Sequence, residues 1–146
     1  MKLSFLLVLI FSAIGIFSCD QTAREQANKF SQYYNRGEEL YLTHCSNCHQ
    51  VDGSGLGRLY PPLNKSDFMQ NNLPAVLCLM RYGRSGELVV NGIEFNKAMP
   101  GIPELTDLEV AEIATYIYNA WDNKRHGIID VRDVTATLNN CAAASD

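Results

Sequence analysis

Residues 45–49 read Cys45-Ser46-Asn47-Cys48-His49, and no other feature of the chain restricts its fold as much. Two thiols three positions apart can add to the two vinyl groups of one haem, and the adjacent His49 then lies beneath the iron as proximal ligand. Two other chemistries share the CxxC spacing. A thioredoxin-like motif follows a strand in a βαβ unit, whereas here Phe30 to His44 read as helical and no βαβ alternation follows. A zinc site would draw on Cys45, Cys48 and either His44 or His49, which is half a site, and a second ligand pair at metal spacing is missing. The motif points to one covalently attached haem c, gripped from both faces by the polypeptide.

A six-coordinate haem needs a second axial ligand, and methionine is the usual partner of histidine at high potential. Met69, Met80 and Met99 are the candidates after the leader. Met80 ends the apolar run from Ala75, where a packing role is expected, and Met69 follows Phe68 at a helix start. Met99 stands in Lys97-Ala98-Met99-Pro100-Gly101. Pro100 removes a backbone donor and fixes φ, so Met99 is not mid-helix but in an irregular stretch able to hold a thioether over iron.

With these residues in view the chain resembles the class I monohaem cytochromes c over residues 31–122. In that family a glycine and an aromatic precede the motif on the first helix, and Gly37 and Tyr41 stand there. The last helix crosses at that glycine, with Ile113 and Tyr116 in the places of the aliphatic and aromatic packed there. Pro61-Pro62-Leu63 matches the Pro-x-Leu that follows the motif. The resemblance implies that the Pro61 carbonyl accepts the ring N–H of His49, fixing the ligating tautomer, and that Leu63 packs on the haem edge. It also implies a mainly α fold wrapped around one haem. A short hairpin before the axial Met99 is similar to a bacterial subset whose members serve, or are fused to, respiratory enzymes.

The remaining segments read as scaffold. Gly53, Gly55 and Gly57 lie between His49 and Pro61, and with no Lys-Ser/Thr after them they suit a flexible wrap rather than a phosphate loop. Asn72 caps a helix with Pro74 in its first turn, running to about Tyr82 and stopping at Gly83. Glu87 to Asn96 is a hairpin turning at Asn91-Gly92. Thr106 to Glu109 is a capping box, followed by Val110, Ile113, Ala114, Ile117 and Trp121 as a core stripe. A helical stretch near Asp130–Leu138 lies in a C-terminal extension, residues 123–146. Arg81 and Arg84, with Tyr60 and Tyr82, are candidate partners of the haem propionates, and Arg84 is preferred for its place before the hairpin. His44 and His126 are expected at the surface.

The amino terminus reads as an address. Lys2 precedes an uncharged apolar run from Leu3 to Phe17, short against the roughly 20 residues a bilayer span needs. Ile16-Phe17-Ser18-Cys19 resembles a bacterial lipobox. The expectation is a lipoprotein signal peptide over residues 1–18, acylation of Cys19, and a lipid-anchored linker over residues 19–30. Fully extended, residues 20–30 would reach roughly 36–40 Å. An uncleaved membrane helix is the alternative, and either places the domain outside the cytoplasm, on a bacterial cell-envelope membrane facing the periplasm.

Five cysteines are an odd count for an exported chain. Acylation of Cys19 and haem attachment at Cys45 and Cys48 leave Cys78 and Cys141 as candidates for a disulfide in an oxidising compartment. The alternative is a buried Cys78 acting as a small hydrophobe and a free thiol in the tail. The 146 residues allow one domain. Twelve Lys plus Arg against 16 Asp plus Glu give −4, falling to −5 when Lys2 leaves with the leader, and no cationic run invites nucleic acid.

The expected function is one-electron transfer outside the cytoplasm by a monomer. Its partners would be redox proteins of a respiratory chain: an oxidase or reductase, or a quinol-oxidising complex. Their docking patches would be basic, and the lipid on Cys19 would hold the carrier near them. With His49 and Met99 on both axial positions no substrate position remains, so the chain is not expected to be an enzyme. The alternatives are a haem-based gas-binding or sensing module in which Met99 dissociates, and an electron-entry subunit of an oxidase or reductase.

Overall fold

The computed structural model describes the backbone of residues 2–143 and the side chains of residues 21–141. The expected leader, residues 1–18, and Cys19 lie outside the described side chains. The chain forms two compact units, Met1–Gln32 and Tyr33–Asp146. The first is the leading part of helix α1 (Lys2–His44). Residues 20–30 are therefore helical, and at a rise of about 1.5 Å per residue they span roughly 16 Å, not the extended reach. Among the described residues no helix is long and apolar enough to cross a membrane.

The second unit is mainly helical. After α1 come a single turn α2 (Ser46–His49), α3 (Asp67–Asn71), α4 (Leu73–Tyr82), α5 (Asp107–Asn119) and α6 (Val131–Ala143). Strand β1 (Gly83–Arg84) pairs antiparallel with β4 (Met99–Pro100), and β2 (Leu88–Val90) with β3 (Ile93–Phe95). Asn91 and Gly92, with φ of 51° and 74°, form the expected hairpin turn. The class I cytochrome c architecture, mainly α with a small hairpin, is thus present.

Tyr33, Gly37, Leu40 and Tyr41 recur at helical spacing and form the buried stripe of α1. They meet α5, where Val110, Ile113, Ala114 and Ile117 are at most 3% exposed. The crossing is close: a Cβ on Gly37 would run into the Glu112 carbonyl and the Tyr116 Cβ, so only glycine lets the backbones approach. The capping box forms in both directions between Thr106 and Glu109.

Four local expectations differ from the structure. Trp121 lies beyond the end of α5, at φ 54°, so it does not extend the helical stripe. Asn72 occupies the cap position of α4, yet its side-chain amide donates back to the Phe68 carbonyl. The glycine-rich segment after His49 is not a loose wrap but a series of bonded turns, because the Gly53 carbonyl accepts from Leu63 and Asn64 N–H at 2.8 and 2.9 Å. Residues 123–143 also belong to the main unit: Ile129, Val134 and Leu138 are in the core, and α6 packs on α4 and α5. Asn119 and Thr115 hold the start of this segment through Gly127 and Ile129.

Candidate haem site

Helix α1 ends at His44, and the single turn that follows sets Cys45, Cys48 and His49 at i, i+3 and i+4, on one side of the chain. Cys45 caps that turn with no side-chain bond. Burial pushes its thiol pKa up to about 12, with the neighbouring Cys48 adding to the rise. A thiol that resists ionisation is a poor exchange nucleophile, which counts against a thioredoxin-like role. The nearby Cys48 raises the pKa of the Tyr60 phenol.

His49 is 8% exposed. Its Nδ1 stands 3.0 Å from the Pro61 carbonyl oxygen. A carbonyl only accepts, so Nδ1 carries the proton and Nε2 keeps a lone pair, the tautomer an iron ligand needs. Burial lowers the ring pKa, opposed by the Pro61 bond, so the imidazole stays neutral.

These groups open onto a cleft made of two adjoining hollows. The outer one holds about 810 Å³ of space counted to its open mouth, the inner one about 580 Å³. Cys45, His49, Pro61, Leu79, Leu88 and Met99 line both, so thiol, imidazole and thioether border one continuous space of the size that holds a large planar ligand. The inner hollow is closed by Leu63, Met69, Val76, Met80, Ile113 and Ile117. This donor set and its apolar walls fit a haem.

Met99 is held by pairing and not by an irregular loop: it lies opposite Arg84 in the β1–β4 ladder. The two strands can close because Gly83 and Gly101 face each other, and a Cβ on either would strike the opposing backbone. The Ile102 N–H donates to the Met80 carbonyl at 2.9 Å, tying this segment to α4.

The propionate candidates separate. Arg84 and Tyr60 line the outer hollow, although the Arg84 guanidinium donates to the Glu87 carbonyl at 2.6 Å. Arg81 instead pairs with Asp107 at 2.8 Å, and the Tyr82 hydroxyl donates to the Leu138 carbonyl, so both face α5 and α6. His44 is exposed and borders the mouth, while His126 is exposed beyond α5. Cys78 and Cys141 are bonded, with Cα atoms 5.9 Å apart, joining α4 to α6.

Four contributors were not found by sequence reading. Leu88 and Phe95 are cross-strand partners that both line the outer hollow; the alternation of the hairpin carries that signal. Lys97 lines it too, two residues before Met99. Asn123 has no sequence signal. Its amide donates to the Leu63 and Ile117 carbonyls, at 3.0 and 2.8 Å, and its oxygen accepts from Lys65 N–H. It thereby fastens the end of the Pro61–Leu63 segment to α5.

A helical wrap around an apolar cleft, with a CxxCH turn on one wall and a β-held methionine on another, defines a c-type cytochrome. The chain belongs to the cytochrome c family described as cytochrome c oxidase, cbb3-type, subunit III, which matches residues 32–117. It is 32% identical over 103 residues, 68% of its length, to the cytochrome c subunit of alcohol dehydrogenase (quinone) from Gluconobacter oxydans. The corresponding subunit of Komagataeibacter europaeus is 30% identical over 111 residues. The chain spans only 21% and 24% of those two proteins. Cytochrome c-552 of Thermus thermophilus is 27% identical over 93 residues, 61% of this chain and 70% of that protein. The family carries covalently bound haem c, and electron transfer is the function it supports for this chain.

Proposed function

We propose that this chain passes single electrons between respiratory redox proteins outside the cytoplasm, without a substrate reaction of its own. The observation that carries the reading is the one cleft that Cys45, His49 and Met99 all line. Cys45 and Cys48 would hold the haem by thioether bonds, and the neutral His49 ring, oriented by Pro61, would ligate through Nε2. Met99, which lines both hollows, would supply a thioether as the second protein ligand of the iron. When bound, haem supplies the Fe(II)/Fe(III) couple, and a thioether ligand favours Fe(II). Leu63, Leu79, Ile113 and Ile117 keep water from the buried face. Arg84 and Lys97, which line the outer hollow, would supply cationic charge for propionate carboxylates.

The lipobox-like segment supports cleavage after residue 18 and acylation of Cys19, in a bacterial envelope with the domain facing the periplasm. The carrier would work as a monomer. A second reading, an electron-entry subunit of a larger oxidoreductase, is favoured by the relatives named as dehydrogenase subunits. Expression with a c-type cytochrome maturation system tests the core of the proposal. The expected product is red, binds one haem, and has a reduced spectrum unchanged by carbon monoxide. Colourless protein overturns it, and a large shift at low carbon monoxide replaces it with a gas-binding module. Co-purification with an oxidase or reductase selects the subunit reading.

A further inference from the structure

Beside the cleft, an open groove is lined by Tyr34 and Glu38 of α1, Val51 and Asp52 of the following loop, Tyr116 of α5, and Trp121 just beyond that helix. It shares no lining residue with either hollow of the cleft. Its rings form one packed set: Tyr34 and Tyr116 have centroids 5.1 Å apart, and Tyr116 and Trp121 5.6 Å. Trp121 is fixed by its indole N–H, which donates to the Val51 carbonyl at 3.2 Å. Glu38 is exposed on α1, and one Asp52 oxygen accepts from the Ser54 N–H at 3.0 Å.

Two carboxylates from different elements therefore flank aromatic rings, and among the described residues no Lys or Arg lines the groove. Ring faces and carboxylates attract the same ligand, a cation. A planar guanidinium answers both, stacking on a ring while its N–H fork meets a carboxylate. The groove is also in contact with the haem cleft. Tyr41 lines the inner hollow and packs on Tyr116 and Trp121, at 5.4 and 5.3 Å.

We propose that this groove is a docking site for an arginine side chain of a protein partner, seated between Glu38 and Asp52 against the half-buried Tyr34 and Trp121 rings, which the buried Tyr116 supports from behind. The inference rests on the electron-carrier reading only for the need of a partner. Trp121 is the single tryptophan of the chain, so its indole N–H gives one resolved signal in an NMR spectrum of the reduced, diamagnetic holoprotein. Tetra-arginine peptide, titrated at low ionic strength, is the probe, with tetra-lysine and tetra-glutamate for comparison. Saturable movement of the indole and Ser54 amide signals is expected with tetra-arginine, less with tetra-lysine, and none with tetra-glutamate. The double substitution Glu38→Gln with Asp52→Asn should weaken binding about tenfold. No saturable movement, or movement that the double variant leaves unchanged, overturns the proposal. An equal response to tetra-lysine overturns the assignment of arginine, and probe-free shifts that depend on protein concentration replace the partner with a second copy of this chain. The haem spectrum of each sample reports the carrier reading separately: reversible reduction with a silent groove sinks only the docking site.

Discussion

At the scale of single residues, the decisive question at the cleft is which sulfur meets the iron. Met99 borders both hollows, whereas Met69 and Met80, 3% and 5% exposed, border only the inner one. Met99→Ala is expected to abolish the Met-to-iron charge-transfer absorption and lower the reduction potential; an unchanged band assigns the ligand to Met69 or Met80. Met80→Ala should leave that band in place and cost about 2–5 kcal/mol of stability as a cavity in the core, read by urea denaturation. The CxxCH and Met99 were legible from local constraints, the spacing of the motif and the fixed φ and missing donor of Pro100, and Pro61 through the family resemblance. Asn123 was not, because its three bonds reach residues as far as 60 positions away, and nothing adjacent in sequence requires an amide there.

At the scale of elements, α6 is held to the rest of the unit by a covalent and a polar link. The Cys78–Cys141 bond closes 63 residues, and replacing both cysteines by serine should cost about 2–4 kcal/mol, since a loop of that length restricts the unfolded chain strongly. Asp107 starts α5 and bonds the Thr135 hydroxyl of α6 and Arg81 of α4. Those two partners, Thr135 first, hold its carboxyl below the ordinary value of 3.8. A depressed folded pKa contributes stability that is present above 3.8 and lost as pH falls through the folded value. Asp107→Asn should therefore cost about 1 kcal/mol at neutral pH, with the difference from wild type closing in acid, as urea melts at several pH values would show. Helix α4, the hairpin and the capping box were readable from Pro74, Asn91-Gly92 and Thr106–Glu109. The β1–β4 pair was not, because strands of two residues have no periodicity to detect.

At the scale of the whole molecule, a net charge of −4 conceals an uneven distribution. His44, Arg84 and Lys97 line the cleft mouth with no carboxylate among the described residues, while Glu38 and Asp52 line the aromatic groove with no cation. The sequence expectation was an acidic carrier, and the structure groups Arg84 and Lys97 at the cleft and Glu38 and Asp52 at the aromatic groove. Association with a redox partner through either group should slow as salt rises, because a Debye length of about 8 Å at physiological ionic strength screens such charges, measurable by stopped-flow electron transfer. Intact-mass spectrometry of the full-length product is expected to find one haem, an acylated Cys19 as the new amino terminus, and two fewer hydrogens for an oxidised Cys78–Cys141 pair. A mass retaining residues 1–18 removes the lipoprotein proposal.

What the sequence by itself determined is the chemistry that short-range geometry dictates, a CxxCH spacing suited to haem and a methionine barred from a helix by Pro100, together with what the family resemblance implied for Pro61 and Gly37. Only the tertiary structure decided which distant groups share a space. The cleft walls, the Asn123 fastening, the clasp of α6 and the grouping of Glu38 and Asp52 around the aromatic groove depend on contacts between residues far apart in the chain. Such contacts are selected by packing and burial of the whole core, and no local pattern of residue types carries them.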